Sequence, residues 1–494
     1  MKKKIVFLVI LAMMFSVIIS ACGNNNSSGD NNNTPVSVDG ADVLTDDSQT
    51  EEAGPIVYKA DVEAFDWEGK EFKIMVNDGD GEWRDVDFIA EEQIGEPIND
   101  AVYTRNSQIE EMFNIKIVPI QIGDRVQSVR RAVNAGDNSY DIIFSTPFNN
   151  ATLSQDGMLY DLLHIPNLDF NEPWWDQNAS KDLTIAHRLY MMTGDIGTMY
   201  RKSVGIILFN KQMVKDYALK DPYQLVANKT WTMDEFLSMC KDVSEDINGD
   251  GVWDDNDRFG LLGYCDIMPI SLMGCGVKIA TKNVDDIPEL TFYNEKTVDI
   301  FNKIAEVVHN RELFWSWSRV GSNNERSRVM FANGQGLFNW NEFHSIPNLR
   351  TMDADFGILP MPLYEANQER YYHSVNPHVA LMLAIPISNP DTERTGAVVQ
   401  AMGAISKNVL TPAYYDISLV GKHARDDESV MTMDVIFNSV TYDPGYMYNW
   451  GNVGTFTLPM VDNFRDDVTS EYERLEVRAQ TALDRMIERY LELD

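Results

Sequence analysis

The hydrophobic pattern of the chain changes period several times, and each change marks an element. Residues 71–76 (EFKIMV) alternate and then turn apolar before the loop NDGDGE, which predicts a strand and a loop. Residues 98–113 carry apolar side chains at helical spacing, with Asn99 as a cap. A second strand is expected at 115–120, a second helix at 126–135 and a third strand at 140–144. Strands alternating with helices of this length are the pattern of βαβ units on a parallel sheet. Ligands of such sheets bind beyond the carboxyl ends of the strands, so residues 77–82 and 145–149 are the first cleft candidates.

The pattern becomes turn-rich after residue 157. Trp174 and Trp175 follow Pro173, and short strands at 187–192 and 203–209 are expected around an exposed Gly194-Asp195-Ile196-Gly197 loop. Thr232 with Glu235 has the form of a capping box, opening a helix that runs through Ser244. Strand 259–264, helix 298–308 and helix 326–331 follow. A glycine-rich turn at 332–336 then leads a strand to Trp340 and Asn341. Residues 379–386 predict a core strand. Helices are expected from Glu393, from Thr411-Pro412 with the proline at its first turn, and over 428–438. Residues 468–493 predict a long amphipathic helix.

The first residues obey a different rule. Lys2, Lys3 and Lys4 precede an apolar run from Ile5 to Ile19, closed by Ile19-Ser20-Ala21-Cys22. That is an export signal over 1–21, whose apolar run of 15 residues is too short for a bilayer crossing of about 20. The closing tetrapeptide resembles a bacterial lipobox, which makes Cys22 a diacylglyceryl anchor. Two acyl chains hold a protein stably where one does not. Residues 22–54, rich in Asn, Ser, Gly and Asp, form no core and read as a tether. As a coil of roughly 30 residues it reaches about 25–35 Å.

Composition narrows the function class. A net charge of −35 repels nucleic-acid phosphate and anionic lipid, so a nucleic-acid role is excluded. The folded part, about 430 residues, exceeds the size at which one core keeps growing, and two lobes are expected. Cys240, Cys265 and Cys275 remain beside the anchor and read as buried small hydrophobes. Residues 246–257 carry the sharpest local motif. Asp246, Asn248, Asp250, Val252 through its carbonyl, Asp254 and Asp257 occupy the six ligand positions of an EF-hand-like loop, with Gly251 at the turn. The last ligand is Asp where EF-hands carry Glu, as in dockerin-type loops. A structural Ca2+ is expected there. No catalytic cofactor is.

No catalytic constellation stands out: there is no G-x-S-x-G elbow, no H-E-x-x-H and no phosphate loop. Aromatic residues gather instead at turns. A flat ring against the C–H face of a pyranose, with polar side chains on the hydroxyls, is how a neutral polyol is held. Trp83, Trp175, Asp195, Trp340, Asn341 and Trp450 are the expected binding residues.

Residues 173–176 (PWWD), Leu189-Tyr190 with Gly194-Asp195-Ile196, residues 328–334 (RVMFANG) and 412–417 (PAYYDI) complete the pattern. With the lipobox and tether, they resemble family 1 of the extracellular solute-binding proteins, the lipoproteins of Gram-positive carbohydrate ABC transporters. The resemblance covers essentially the whole mature chain. It implies a type II periplasmic-binding-protein-like α/β fold whose discontinuous lobes are joined by hinge strands. Lobe 1 would span 60–170 plus 365–430, and lobe 2 would span 171–360 plus 431–494. It further implies a monomer on the outer face of the cell membrane that closes on a carbohydrate and delivers it to permease subunits. A binding protein for another solute such as a peptide, and a tethered carbohydrate-active enzyme or adhesin, remain the alternatives.

Overall fold

Two sheets organise the chain. The computed structural model describes residues 56–79, 87–321, 323–349, 352–415 and 426–492. The export signal, Cys22, the tether and Trp83 lie outside the described residues.

The first sheet holds β1 (Lys70–Asn77), β2 (Ile115–Ile122) and β3 (Ile142–Ser145) in parallel. A late strand, β11 (Met382–Ala384), lies antiparallel on β3, giving the order β11-β3-β1-β2. β1 is central, and Phe72, Ile74, Met75 and Val76 are all buried, as expected of a strand covered on both faces. β2 carries Pro119 and is an edge strand, where a missing N–H costs no ladder bond. Helix Pro97–Phe113 covers β2 with Val102, Ile109 and Phe113 buried. Its cap is Glu96, whose side chain accepts from the N–H groups of Ile98 and Asn99. Asn99 was the expected cap; Pro97 at the first turn moves the boundary three residues earlier.

The second sheet has the order β10-β4-β9-β5-β8. Its members are β4 (Gly205–Asn210), β5 (Phe259–Gly263), β8 (Phe314–Ser316), β9 (Gly336–Glu342) and β10 (Phe356–Leu359). β5 runs parallel to β8 and β9, whereas β4 is antiparallel to β9 and β10. Every residue of β9 is buried, including Asn339, Asn341 and Glu342. Gly334, at φ +73°, makes the turn into it, a conformation a side chain would strain. A small hairpin, β6 (Ala280–Lys282) and β7 (Pro288–Leu290), stands apart.

The two sheets define two lobes of a periplasmic-binding-protein-like α/β fold, and the chain crosses between them on paired segments. Met192 and Leu383 exchange both backbone bonds, at 3.0 and 2.8 Å. Further along, Val204 pairs with Val375, and Asn376 N donates to Ser203 O at 2.8 Å. A third segment joins them where His373 N donates to Ser439 O and Thr441 N to His373 O. Helix Val468–Glu492 then packs across the lobes. Its Tyr490 hydroxyl bonds Ser154 of helix Pro147–Gln155 at 2.7 Å, and its Tyr472 stacks on Phe292 before helix Glu295–Val308.

Three local expectations give way to tertiary burial. Residues 392–412 form one helix, with Pro412 at its end and not at the start of a new one. Leu410 and Ala413 pack with Ala101 and Val102, and that burial carries the helix through. The 194–197 turn is buried: a Cβ on Gly194 would meet Trp174 O at 2.3 Å. Only residues 382–384 of the apolar run at 379–386 form a strand. The three described cysteines are free, with Cys240 and Cys275 buried.

Candidate functional site

β5 ends at Gly263, and the chain turns through Tyr264, Cys265 and Asp266 into helix Ile267–Gly274. Beside it helix Asn324–Ala332 begins at its cap, Asn323, whose side chain accepts from Arg326 N. From the hinge comes the segment Asn376–Val379. With Trp317, Glu325 and Arg328 these elements line a cavity of about 500 Å³. The first lobe reaches it through Phe148, which meets the His378 ring edge-on at 4.8 Å. Phe148 lies just past β3, within the 145–149 stretch.

One wall is aromatic. Tyr264 lies between Trp317 and Trp340, each with a ring-centroid separation of 4.7 Å. Trp317 faces the cavity with Tyr264, whereas Trp340 is fully buried behind them. The other walls are amide, carboxylate and guanidinium, from Asn323, Asn324, Asn376, Asp266, Glu325 and Arg328. Such a lining offers a flat apolar face and many hydrogen-bond partners at once.

The floor is a bonded network. Glu342 Oε1 accepts from the Tyr264 hydroxyl at 2.5 Å and from Asn376 Nδ2 at 2.8 Å. The same Asn376 amide donates to Asp266 Oδ2 at 3.2 Å, and its Oδ1 accepts from His378 N at 3.0 Å. Burial pushes the Glu342 carboxyl up to about 8, against the hydrogen bonds from Tyr264 and Asn376. Burial also raises Asp266, while the nearby His378 pulls it back. His344, whose Nδ1 lies 3.8 Å from Glu342 Oε2, is depressed by burial to about 4 and is neutral at pH 7.

The structure brings two of the expected residues, Trp340 and Asn341, to this site, both as its backing. Asn341 and Asn324 exchange side-chain bonds at 2.7 and 3.2 Å, which fixes the cavity-facing Asn324. Three lie elsewhere. Trp175 is buried away from the cavity, its indole N–H donating to Gln400 of helix Thr392–Pro412 at 3.0 Å with Phe170 against its ring. Trp450 is stacked on Tyr448 and bonds Met486 of the last helix. Asp195 is 2% exposed and held by Arg201, Lys407 and Thr411. Tyr264, Asp266, Asn376 and His378 were not among the expected residues. The signal for the first two was in the chain: an apolar run, 259–263, breaks into Tyr-Cys-Asp at the carboxyl end of a parallel strand.

The 246–257 loop stands between helix Met233–Val243 and β5. Asp246 accepts from Gly249 N and Gly251 N, each at 2.8 Å, and Asp257 accepts from Ile247 N and Asp254 N. Gly251 has φ +75°, as a sixth loop position needs. Among the described residues no group of three or more His, Cys, Asp or Glu side chains is gathered as a metal site. The carboxylates of the loop are turned onto backbone N–H groups.

Structural neighbours share the architecture. An ABC substrate-binding protein of Listeria monocytogenes, solved in complex with cycloalternan, aligns at a TM-score of 0.54 and 12% identity, over 85% of this chain and 99% of its own. UspC of M. tuberculosis aligns at 0.55 and 14%, over 83% and 100%. An ABC transporter solute-binding protein of Thermotoga lettingae, bound with α-D-tagatose, aligns at 0.53 and 14%, over 85% and 100%. No curated protein sequence matches the chain. The family model described as bacterial extracellular solute-binding protein matches residues 106–399, well over half of the sequence and inclusive of both sheets' central strands except β1. The chain belongs to the bacterial extracellular solute-binding proteins.

Proposed function

We propose that this protein captures a carbohydrate in the cavity between its lobes and delivers it to an ABC transporter permease. The observation that carries the reading is the lining: Tyr264 and Trp317 offer a ring face, and Asp266, Asn323, Asn324, Asn376 and Arg328 surround it with hydroxyl partners. Two structural neighbours of the same fold hold sugars. Solute binding favours the closed arrangement of the lobes, and the difference in affinity between open and closed states sets how far the population moves. Cys22 is the lipid anchor and residues 22–54 the tether, which together keep the lobes near a membrane partner on the outer face of the cell. The lobe division is 60–170 plus 365–430 against 171–360 plus 431–494. The 246–257 loop takes one structural Ca2+.

Native mass spectrometry of the purified protein, followed by calorimetry with mono- and oligosaccharides, tests the reading. A retained or titratable sugar lost on Trp317→Ala supports it. Saturable binding of peptides with no sugar response overturns it.

A further inference from the structure

Most carboxylates buried in this molecule are paired with a cation or a row of backbone N–H groups. Glu342 is different. It ends β9 fully buried, and among the described residues no lysine or arginine pairs with it. Both hydrogen bonds that it receives arrive at Oε1, from Tyr264 and Asn376. Oε2 has no hydrogen-bond partner among the described residues. A carboxyl fully buried with two neutral donors on one oxygen, no partner on the other and no cation to compensate its charge is held as the neutral acid.

We propose that Glu342 is a positioning residue of the solute site: as the neutral acid it holds Tyr264 and the hinge residue Asn376 in register, and its ionisation loosens them. This rests on the cavity being the solute site. Tyr264 presents its ring to the cavity while its hydroxyl is bound below by Glu342. Asn376 belongs to the crossing segment, tied to the other crossing by its N–H on Ser203 O. One amide therefore serves two carboxyls, Glu342 and Asp266, and links both to the hinge. Were both ionised, two like charges would share that amide, so the pair keeps one proton near neutrality.

The groups that face Glu342 leave it as the pH-sensitive member. From the turn after β5 come Tyr264, raised well above its ordinary value by burial, and Asp266, in front of which lies His378. Cys265 in the same turn is pushed up to about 12 by burial. From beyond β9 comes His344, neutral at pH 7, itself influenced by Arg328 and Lys202. From the helix Pro444–Tyr448 comes Tyr446, also raised by burial, and Asp462 adds negative charge near Asp266. Raising the pH toward 8 and beyond adds a second negative charge beneath the aromatic wall, and among the described residues no lysine or arginine pairs with it. Trp317, whose ring lies tilted against Tyr264 at 4.7 Å, reports the change.

The test needs no solute. Tryptophan fluorescence of the ligand-free protein is followed from pH 5 to 9.5, with amide exchange measured across residues 373–380. The wild type should show one transition near pH 8, with faster exchange of the hinge segment above it. Glu342→Gln keeps the shape of the neutral acid and should abolish both changes while remaining folded. Asp266→Asn removes the neighbouring charge and should move the transition down by one unit or more. A wild type without a transition in that range, or a transition that survives Glu342→Gln, overturns the proposal. A transition that behaves as described in a protein that binds no sugar leaves the positioning role intact and overturns the carbohydrate reading instead.

Discussion

Two buried carboxylates, Asp195 and Glu342, sit in comparable darkness and do opposite work. Asp195 is surrounded by Arg201 at 2.8 Å, Lys407 at 3.0 Å and the Thr411 hydroxyl at 2.8 Å. These partners come from two distant stretches of chain, the short helix at Arg201 and the helix that carries Lys407 and Thr411, so the charge serves as a knot. Among the described residues Glu342 receives only a phenol and an amide, and both donors belong to the cavity wall. A compensated charge holds a fold in place at every ordinary pH. An uncompensated one keeps its proton and stays sensitive. The lesson is that burial alone does not mark a functional acid; the identity of its partners does.

The comparison can be broken most forcefully at the knot. Arg201→Ala leaves Asp195 buried with half its compensation, and breaking a buried pair in this way costs about 3–5 kcal/mol. Chemical denaturation at pH 6 and at pH 8.5 should show the same loss. A loss under 1 kcal/mol would mean that Asp195 is no knot.

At Glu342 the sign runs the other way. The folded protein keeps this proton to about pH 8, whereas the unfolded chain releases it near the ordinary 4.5. Its contribution is therefore full below 4.5, falls through the window from 4.5 to about 8, and is gone above it. The slope is about 1.4 kcal/mol per pH unit, so the loss by pH 7 is on the order of 3 kcal/mol. Glu342→Gln removes the slope, and equilibrium unfolding against pH should show the variant matching the wild type in acid and exceeding it at pH 8.

Smaller effects separate cavity from core among the tryptophans. Trp317→Ala should weaken solute binding by tenfold or more, about 1.4 kcal/mol or above, with little loss of stability. Trp175→Phe should do the reverse, since its indole N–H serves only Gln400. Calorimetry and thermal melts on the two variants read the contrast, and equal affinity losses would erase it. The smallest expected effect lies in the 246–257 loop. Ca2+ at ten times its dissociation constant should stabilise the protein by about 1.4 kcal/mol, and Asp246→Ala should remove that gain in a thermal melt.

The βαβ start was legible because each element there satisfies its own period: β1 and helix Pro97–Phe113 follow their apolar residues to within a few positions. The two-lobed architecture was legible through resemblance and length. Less of the site could be read. Trp175 and Trp450 stand beside turn residues, a local signal shared by cavity tryptophans and by tryptophans whose turn folds back over them. Tertiary packing separates the two, and the sequence near each carries no trace of it. Asp195 illustrates the same limit, since its partners Lys407 and Thr411 lie more than 200 positions away. His378 and Asn376 belong to the cavity only because the chain returns past Ser203, a pairing no local period encodes.

That return has a consequence for how the molecule is made. β11 (Met382–Ala384) covers the β3 edge of the first sheet, yet about 240 residues separate it from β3, and the entire five-stranded sheet is written in between. A chain emerging outside the membrane in N-to-C order can finish its second sheet while the first still has a bare edge. Closing so long a loop is entropically slow to be rewarded. Until it closes, β3 presents unpaired N–H and C=O groups to any other strand nearby. Nascent or truncated chains ending before residue 382 are therefore the forms of this protein most exposed to aggregation, with the first lobe, not the second, as the place where they stick.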